Sequence, residues 1–333
     1  MKTEKVITDI KKGIIKPVYW LEGEEDFFID KIIEFAEHGI LSESEASFNK
    51  TVFYGRDTDW ATVINAARRY PMFAEKQVVI IKEAQAMKDI EKLESYIDKP
   101  LESTMLFIAY KGKKLDGRTK LAKNIKEKHV LFTSKKMYEN ELPDWTMGLV
   151  ESKGFTITQK ALFLLIDHIG NDLSRLSNEI DKMALNMGNR KNISEDDIEQ
   201  FVGISKEYNV FELQDALGKR DFYKAIRIAQ YFENNPKAAP LQLVFPALYS
   251  FFSKVLALHG APVGGEKAIA AQVGINDWKL KEFVQAAKKY NLQAVEKNLL
   301  LLNHYNLRSI GIDDAGTTPG MLLKEMIAKM IND

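Results

Sequence analysis

Short apolar runs alternate with stretches of helical spacing through the first third of the chain. Pro17 to Glu22 reads as a strand, followed by a helix of about fourteen residues from Glu25. Thr51 to Tyr54, Gln77 to Lys82, Thr104 to Ala109 and His129 to Thr133 are further runs of strand length, and the segments between them carry helical spacing. A strand–helix rhythm of this kind predicts a mostly parallel sheet.

After Pro143 the strand signals stop. Gly154 and Thr158, a helix N-cap residue type, open a region that reads as wholly helical. Ala161, Leu164, Leu165 and His168 share one helical face, and Leu173, Leu176, Ile180 and Met183 form another stripe. Ser194 to Asp197 has the form of a capping box before a short helix ending at Gly203. From Asn209 onward the pattern is again helical, aromatic-rich around Phe222 to Phe232 and Leu241 to Leu258, with Pro236, Pro240, Pro262 and the Gly264–Gly265 pair marking turns. Leu292, Val295, Leu299 and Leu302 continue it, and Met321 to Ile331 is a last amphipathic stretch. The pattern thus predicts an α/β domain over residues 1–140, a small helical module over 141–208 and a larger helical region over 209–333.

Composition narrows the class. The 333 residues carry 47 Lys and Arg against 47 Asp and Glu, so no whole-molecule field draws in polyanions, and nucleic-acid contact requires a local patch or a partner. The absence of Cys removes disulfides, thiolate metal sites and cysteine nucleophiles. No apolar run reaches the roughly 18 to 20 residues of a membrane span, and the start of the chain has no leader-like pattern. A cytoplasmic protein without membrane contact is expected.

The strand-to-helix turn at Gly23 stands where a nucleotide-binding α/β domain keeps its phosphate loop, but its chemistry is wrong for phosphate. That loop needs converging glycines, a Lys for the terminal phosphates and a Ser or Thr for magnesium. Here Gly23 is followed by Glu24, Glu25 and Asp26, with Lys31 further along the helix. Acids at a helix start suit its dipole and repel a triphosphate. At the end of the third strand, Lys82–Glu83 replaces the acidic pair that holds magnesium and polarises water. ATP hydrolysis by this chain is not expected, and neither a metal nor another cofactor is called for.

The five histidines, His38, His129, His168, His259 and His304, show no ligand spacing, and Asp313–Asp314 lacks the alternating acids of a calcium loop, so a solvated turn is expected there. Lys111, Lys113, Lys114, Arg118, Lys120 and Lys123 cluster after the fourth strand. Contact with DNA phosphates is one reading of them and a solvated face the other. The same choice applies to Lys279, Lys281, Lys288 and Lys289 beside Trp278 and Tyr290. Met72 and Phe73 are two large apolar residues at the tip of a connection between a helix over Asp59 to Arg69 and the strand from Gln77. Either they fold back over the core, which composition favours, or they are presented to a partner's pocket.

Five segments carry a resemblance: Pro17 to Glu25, Asp57 to Trp60, Phe73 to Glu83, Gly170 to Lys182 and Asn209 to Leu217. In their order and spacing the chain resembles the delta subunit family of the bacterial DNA polymerase III clamp loader, AAA+ relatives without ATPase activity. The resemblance spans nearly the whole chain. It implies an AAA+-like α/β domain with a degenerate phosphate loop, a small helical lid and an all-α collar that oligomerises. It also implies a non-catalytic subunit of the polymerase holoenzyme, which binds and opens the sliding clamp (beta) for loading on primed DNA. Its partners are then the ATPase subunits (tau/gamma), a delta-prime subunit and primer-template DNA. The family uses two apolar residues, usually Leu-Phe, on this loop; Met72 and Phe73 match them, with Met in place of Leu. The Ser-Arg-Cys finger motif is missing, since the segment before the last strand reads Glu127–Lys128–His129. A divergent stand-alone AAA+ ATPase dependent on Lys31, and a delta-prime-type scaffold, are the competing readings.

Overall fold

A computed structural model describes residues 2–205, 207–236, 239–262, 265–275, 277–314 and 316–332. Gly264 and the Trp278 side chain lie outside the described residues. The chain divides into two compact units, 1–138 and 139–333.

The first unit opens with helix α1 (Lys2–Lys11), which the sequence pattern did not predict, and strand β1 (Val18–Gly23). Helices α2 (Asp26–His38) and α3 (Glu43–Asn49) lead to β2 (Lys50–Tyr54), and α4 (Trp60–Ala67) leads to β3 (Gln77–Lys82). The short helix α5 (Glu94–Ile97) precedes β4 (Thr104–Lys111), and α6 (Lys120–Lys128) precedes β5 (Val130–Ser134). The five strands are all parallel, in the order β2-β3-β4-β1-β5. Successive side chains of a strand face opposite sides, so the unbroken Val78–Ile81 run feeds two cores. Val79, Ile81, Trp20, Leu106 and Ile108 pack with Val63 and Ala67 of α4 and Ile125 of α6. On the other face Val78, Ile80, Leu21 and Phe107 pack with Ile29, Ile32 and Ile33 of α2 and Ile10 of α1. Tyr19 and Phe107 stack at 4.5 Å in that second layer.

The second unit contains α7 (Leu142–Ser152), β6 (Thr156–Ile157), α8 (Gln159–Ile169), α9 (Leu173–Asn186), β7 (Asn192–Ile193) and α10 (Glu195–Asp197). The region after Pro143 is therefore not wholly helical. β6 and β7 form a two-residue parallel bridge, too short for any periodicity to reveal. Thr158 caps α8 and Asp172 caps α9, each accepting from the backbone N–H three residues on. Ser194 and Asp197 make a reciprocal capping box, and the helical run after α10 stops at Gly203, whose φ of 83° suits glycine.

Among the described residues, the helices that follow in this unit are α11 (Val210–Lys219), α12 (Phe222–Asn234), α13 (Leu241–His259), α14 (Glu266–Gln272), α15 (Asp277–Lys289), α16 (Leu292–Ser309) and α17 (Pro319–Asn332). α13 corrects one expectation, because at 19 residues it is long and apolar enough by composition to cross a membrane. Gln242, Ser250, Ser253 and Lys254 interrupt the run in sequence, while Val244, Phe245, Leu248, Phe251, Phe252 and Val255 are core residues of the helical unit. Asp314, expected in a solvated turn, is instead a partly buried acceptor. The Thr317 N–H donates to it at 2.8 Å and Arg308 pairs with it at 2.7 Å, which together hold its carboxyl down at about 2; the Gly316 N–H donates to it as well.

Candidate functional site

In a parallel sheet all strand ends of one kind lie on one edge, which gives the first unit two distinct poles. At the pole where strands finish stand Gly23, Lys82–Glu83, Lys111 and Ser134, where a nucleotide-binding α/β domain keeps its phosphate loop. Here the fold consumes the groups that phosphate would need. Gly23 has φ 127°, and a Cβ there would lie 2.1 Å from the Ser134 carbonyl, so the close approach this glycine permits is to β5. Its N–H donates to the Lys113 carbonyl at 3.1 Å, and the Glu25 N–H donates to Ser134 Oγ at 3.2 Å. The buried Glu22 accepts from the Leu115 N–H at 2.9 Å.

Side-chain charge fills the rest of that pole. Lys111 Nζ reaches Asp30 at 2.7 Å and Glu83 at 3.2 Å, Lys82 pairs with Glu37 at 2.6 Å, and Lys31 pairs with Glu34 at 3.0 Å on the surface of α2. Burial pushes the Lys111 amine down, but its two carboxylate partners outweigh this and leave it above its ordinary value. Burial likewise raises the Asp26 carboxyl; Lys111 opposes the rise, while Asp30 and Glu83 add to it. Of the basic cluster, Lys114 pairs with Glu24 at 3.2 Å, Arg118 with Asp116 at 2.7 Å, and Lys120 with Asp98 and Glu94 at 2.8 and 2.9 Å. Lys113 and Lys123 are exposed, but a phosphate approaching Lys111, Lys114, Arg118 or Lys120 must displace carboxylates of the same unit.

At the opposite pole, where strands begin, lies the connection from α4 to β3. Phe73 is 97% exposed and Met72 is 54% exposed, with Tyr70 exposed just before them and Phe48 exposed on α3, so the reading of this tip as core is overturned. Loop geometry explains it. Phe73 has φ 54°, a left-handed conformation that costs a bulky residue about 1–3 kcal/mol, and its ring stands in solvent.

Both sides of the loop are pinned. The α4 carbonyls at Ala66 and Ala67 accept from Gln77 Nε2 at 3.4 and 3.3 Å, and Gln77 also donates to the Arg69 carbonyl. Ala67 accepts again from Thr104 Oγ1 at 2.8 Å and from the Tyr96 hydroxyl at 3.2 Å. Gln77 and Thr104 are register partners at the start of β3 and β4, so the sheet itself aims them at the end of α4. On the other side the buried Asn49, last residue of α3, holds the backbone of Met72. The Met72 N–H donates to Oδ1 at 2.6 Å, and Nδ2 donates to the Met72 carbonyl at 2.8 Å. Asn49 is a residue the sequence reading missed. Nothing in its neighbours marks it; only the pairing of Lys50 with Val78 brings it beside the loop.

The nucleic-acid reading of the Lys279 segment meets a different arrangement. Lys279 lies with its amine 3.6 Å from the Phe211 ring centroid, and Tyr290 is fully buried with its hydroxyl donating to the Leu217 carbonyl at 2.7 Å. Lys281, Lys288 and Lys289 are exposed.

Residues 19–135 match the family model described as DNA polymerase III, delta subunit. In sequence and in fold the chain resembles the clamp-loader delta subunit. DNA polymerase III subunit delta of Bacillus subtilis is 25% identical over 293 residues, spanning 85% of this chain and 84% of the relative. The probable DNA polymerase III subunit delta of Aquifex aeolicus is 24% identical over 301 residues, spanning 85% and 83%. The solved structure of the Bacillus subtilis DNA clamp loader delta protein superimposes with a TM-score of 0.56 at 23% identity, covering 99% of this chain and all of that one. The delta resemblance spans the pinned loop, the closed pole and both units.

Proposed function

We propose that this chain is a non-catalytic subunit of a bacterial clamp loader, which grips a sliding clamp through Met72 and Phe73 and favours its opened form. The observation that carries the reading is Phe73, almost wholly exposed and strained on a loop hydrogen-bonded from both sides. Burying one Phe and one Met contributes on the order of 3 to 6 kcal/mol, or about a hundred- to ten-thousand-fold in affinity. Met is close to Leu in volume and adapts to an irregular pocket. Binding alone does not open a ring. The surface around the tip must contact the opened clamp better than the closed one, since a ligand shifts an equilibrium only by its differential affinity.

Gly23, Glu24, Glu25, Lys31, Lys82 and Glu83 form a degenerate nucleotide position in this reading, and the self-paired Lys111 and the packed Gly23 support it. ATP binding and turnover then fall to partner ATPase subunits, with a delta-prime subunit and primer-template DNA completing the assembly in the cytoplasm. Residues 1–140 act as the clamp-binding domain, 141–208 as a lid and 209–333 as the collar through which subunits assemble. The test is calorimetric titration of a cognate sliding clamp with the wild-type chain and with Met72→Ala/Phe73→Ala. Binding weakened at least about a hundredfold by the double substitution is expected; equal affinity of the two proteins would overturn the site.

A further inference from the structure

We propose that Asn49 is the positioning residue of the clamp-contact tip, holding Phe73 in its outward, left-handed conformation before any partner arrives. This rests on the reading of Met72 and Phe73 as the clamp contact. Asn49 is buried, and its amide meets both polar groups of one backbone unit, accepting from the Met72 N–H at 2.6 Å and donating to the Met72 carbonyl at 2.8 Å. That is the pattern by which an adjacent strand would hold the chain, supplied here by a side chain to a loop that no strand reaches. Nδ2 also donates to the Glu45 carbonyl at 3.1 Å, which fixes the amide against α3 and leaves it no freedom to follow the loop.

Phe73 follows Met72 directly, and its φ of 54° is a conformation that a free loop would seldom hold. Without Asn49 the backbone around the tip regains the extended region, and the partner must then supply the ordering entropy that the amide now supplies in advance. Lys50, next to Asn49 in the chain, is directed elsewhere, its Nζ donating to the Glu37 carbonyl at 3.0 Å. Among the groups described above, the Asn49 amide is the contact made to the tip itself, since Gln77, Thr104 and Tyr96 hold the end of α4.

The experiment is a double-mutant cycle in the full chain, read by clamp titration. Asn49→Ala in the wild-type background is expected to weaken clamp binding roughly 10- to 100-fold. In the Phe73→Ala background the same change is expected to cost less than about twofold, because Asn49 acts through Phe73. Amide hydrogen exchange of the free protein supplies the second readout: exchange at the Met72 N–H accelerates in Asn49→Ala while the β3 amides keep their protection. Equal loss in both backgrounds assigns Asn49 to general stability and overturns the inference, as does full affinity with a released Met72 amide. If Asn49→Ala does not fold, the isosteric Asn49→Asp takes its place; it keeps the acceptor for the Met72 N–H, loses the donor, and is expected to give an intermediate loss. Unchanged binding by Met72→Ala/Phe73→Ala removes the clamp site itself, a result separate from any obtained with Asn49.

Discussion

The amine of Lys279 lies against the Phe211 ring beside a cavity of about 240 Å³ lined by Glu212, Glu282 and Phe283. Burial drives that amine from its ordinary 10.5 down to about 8, against the pull of Asp167, Glu282 and Glu212 and with a small push from Lys254. Between these two values the unfolded chain holds a proton that the folded chain has released, so unfolding free energy rises with pH across that window. Lys279→Met is expected to raise the melting temperature near neutrality and to remove that rise. Melts of both proteins at about pH 7 and about pH 9.5 check it, and parallel pH profiles would contradict it. The sequence offered Lys279 a phosphate or a solvated face and nothing else, because helical spacing records which residues share a face and not what a distant segment lays over it. Lys111 teaches the same lesson. Its membership in a basic cluster was plain, whereas Asp30 and Glu83, its partners, lie far away in the chain and meet it only through strand order.

At the scale of elements, β2 and β5 at the edges of the sheet are only partly buried, while the inner strands β1, β3 and β4 stand out in the sequence because burial on both faces demands apolar residues at nearly every position. The β6–β7 bridge does not, since two residues carry no period and their pairing depends on the helices around them. The end of α4 is an element boundary fixed by side chains from other elements, and it can be loosened without touching the core. Gln77→Leu preserves the volume but takes the amide donor from the Arg69 carbonyl, while the Ala66 carbonyl keeps the Arg69 N–H, at an expected cost of about 1–3 kcal/mol. Urea unfolding measures that cost, and an unchanged midpoint would show that water replaces the amide. The tip residues Met72 and Phe73 were visible in the sequence as an oddity, but their exposure was not, because apolar character argues for burial wherever nothing else is known. The family resemblance pointed the other way before the fold did.

At the scale of the whole chain, each unit carries its own core. Both faces of the sheet are covered by helices from residues 1–138, and the helices after residue 209 pack around Phe232, Phe252, Leu323 and Met326. A fragment of residues 1–138 is therefore expected to fold alone and melt in one cooperative transition by circular dichroism. A broad, non-cooperative melt would mean that its core borrows from the rest of the chain. The change from strand to helix patterning marks this division in the sequence, since it follows a switch of period. The opposition of the two poles is less legible, for it follows from the parallel direction of every strand. β3 runs from the Phe73 loop to Lys82 and is hydrogen-bonded along both edges, to β2 and to β4. Its six residues span about 20 Å. A tug on Phe73 in line with that strand loads the two ladders in shear, so their bonds resist together instead of peeling apart in turn. The sheet is then stiff along its strands, and under the proposed function work done at the tip goes into deforming the partner and not the sheet.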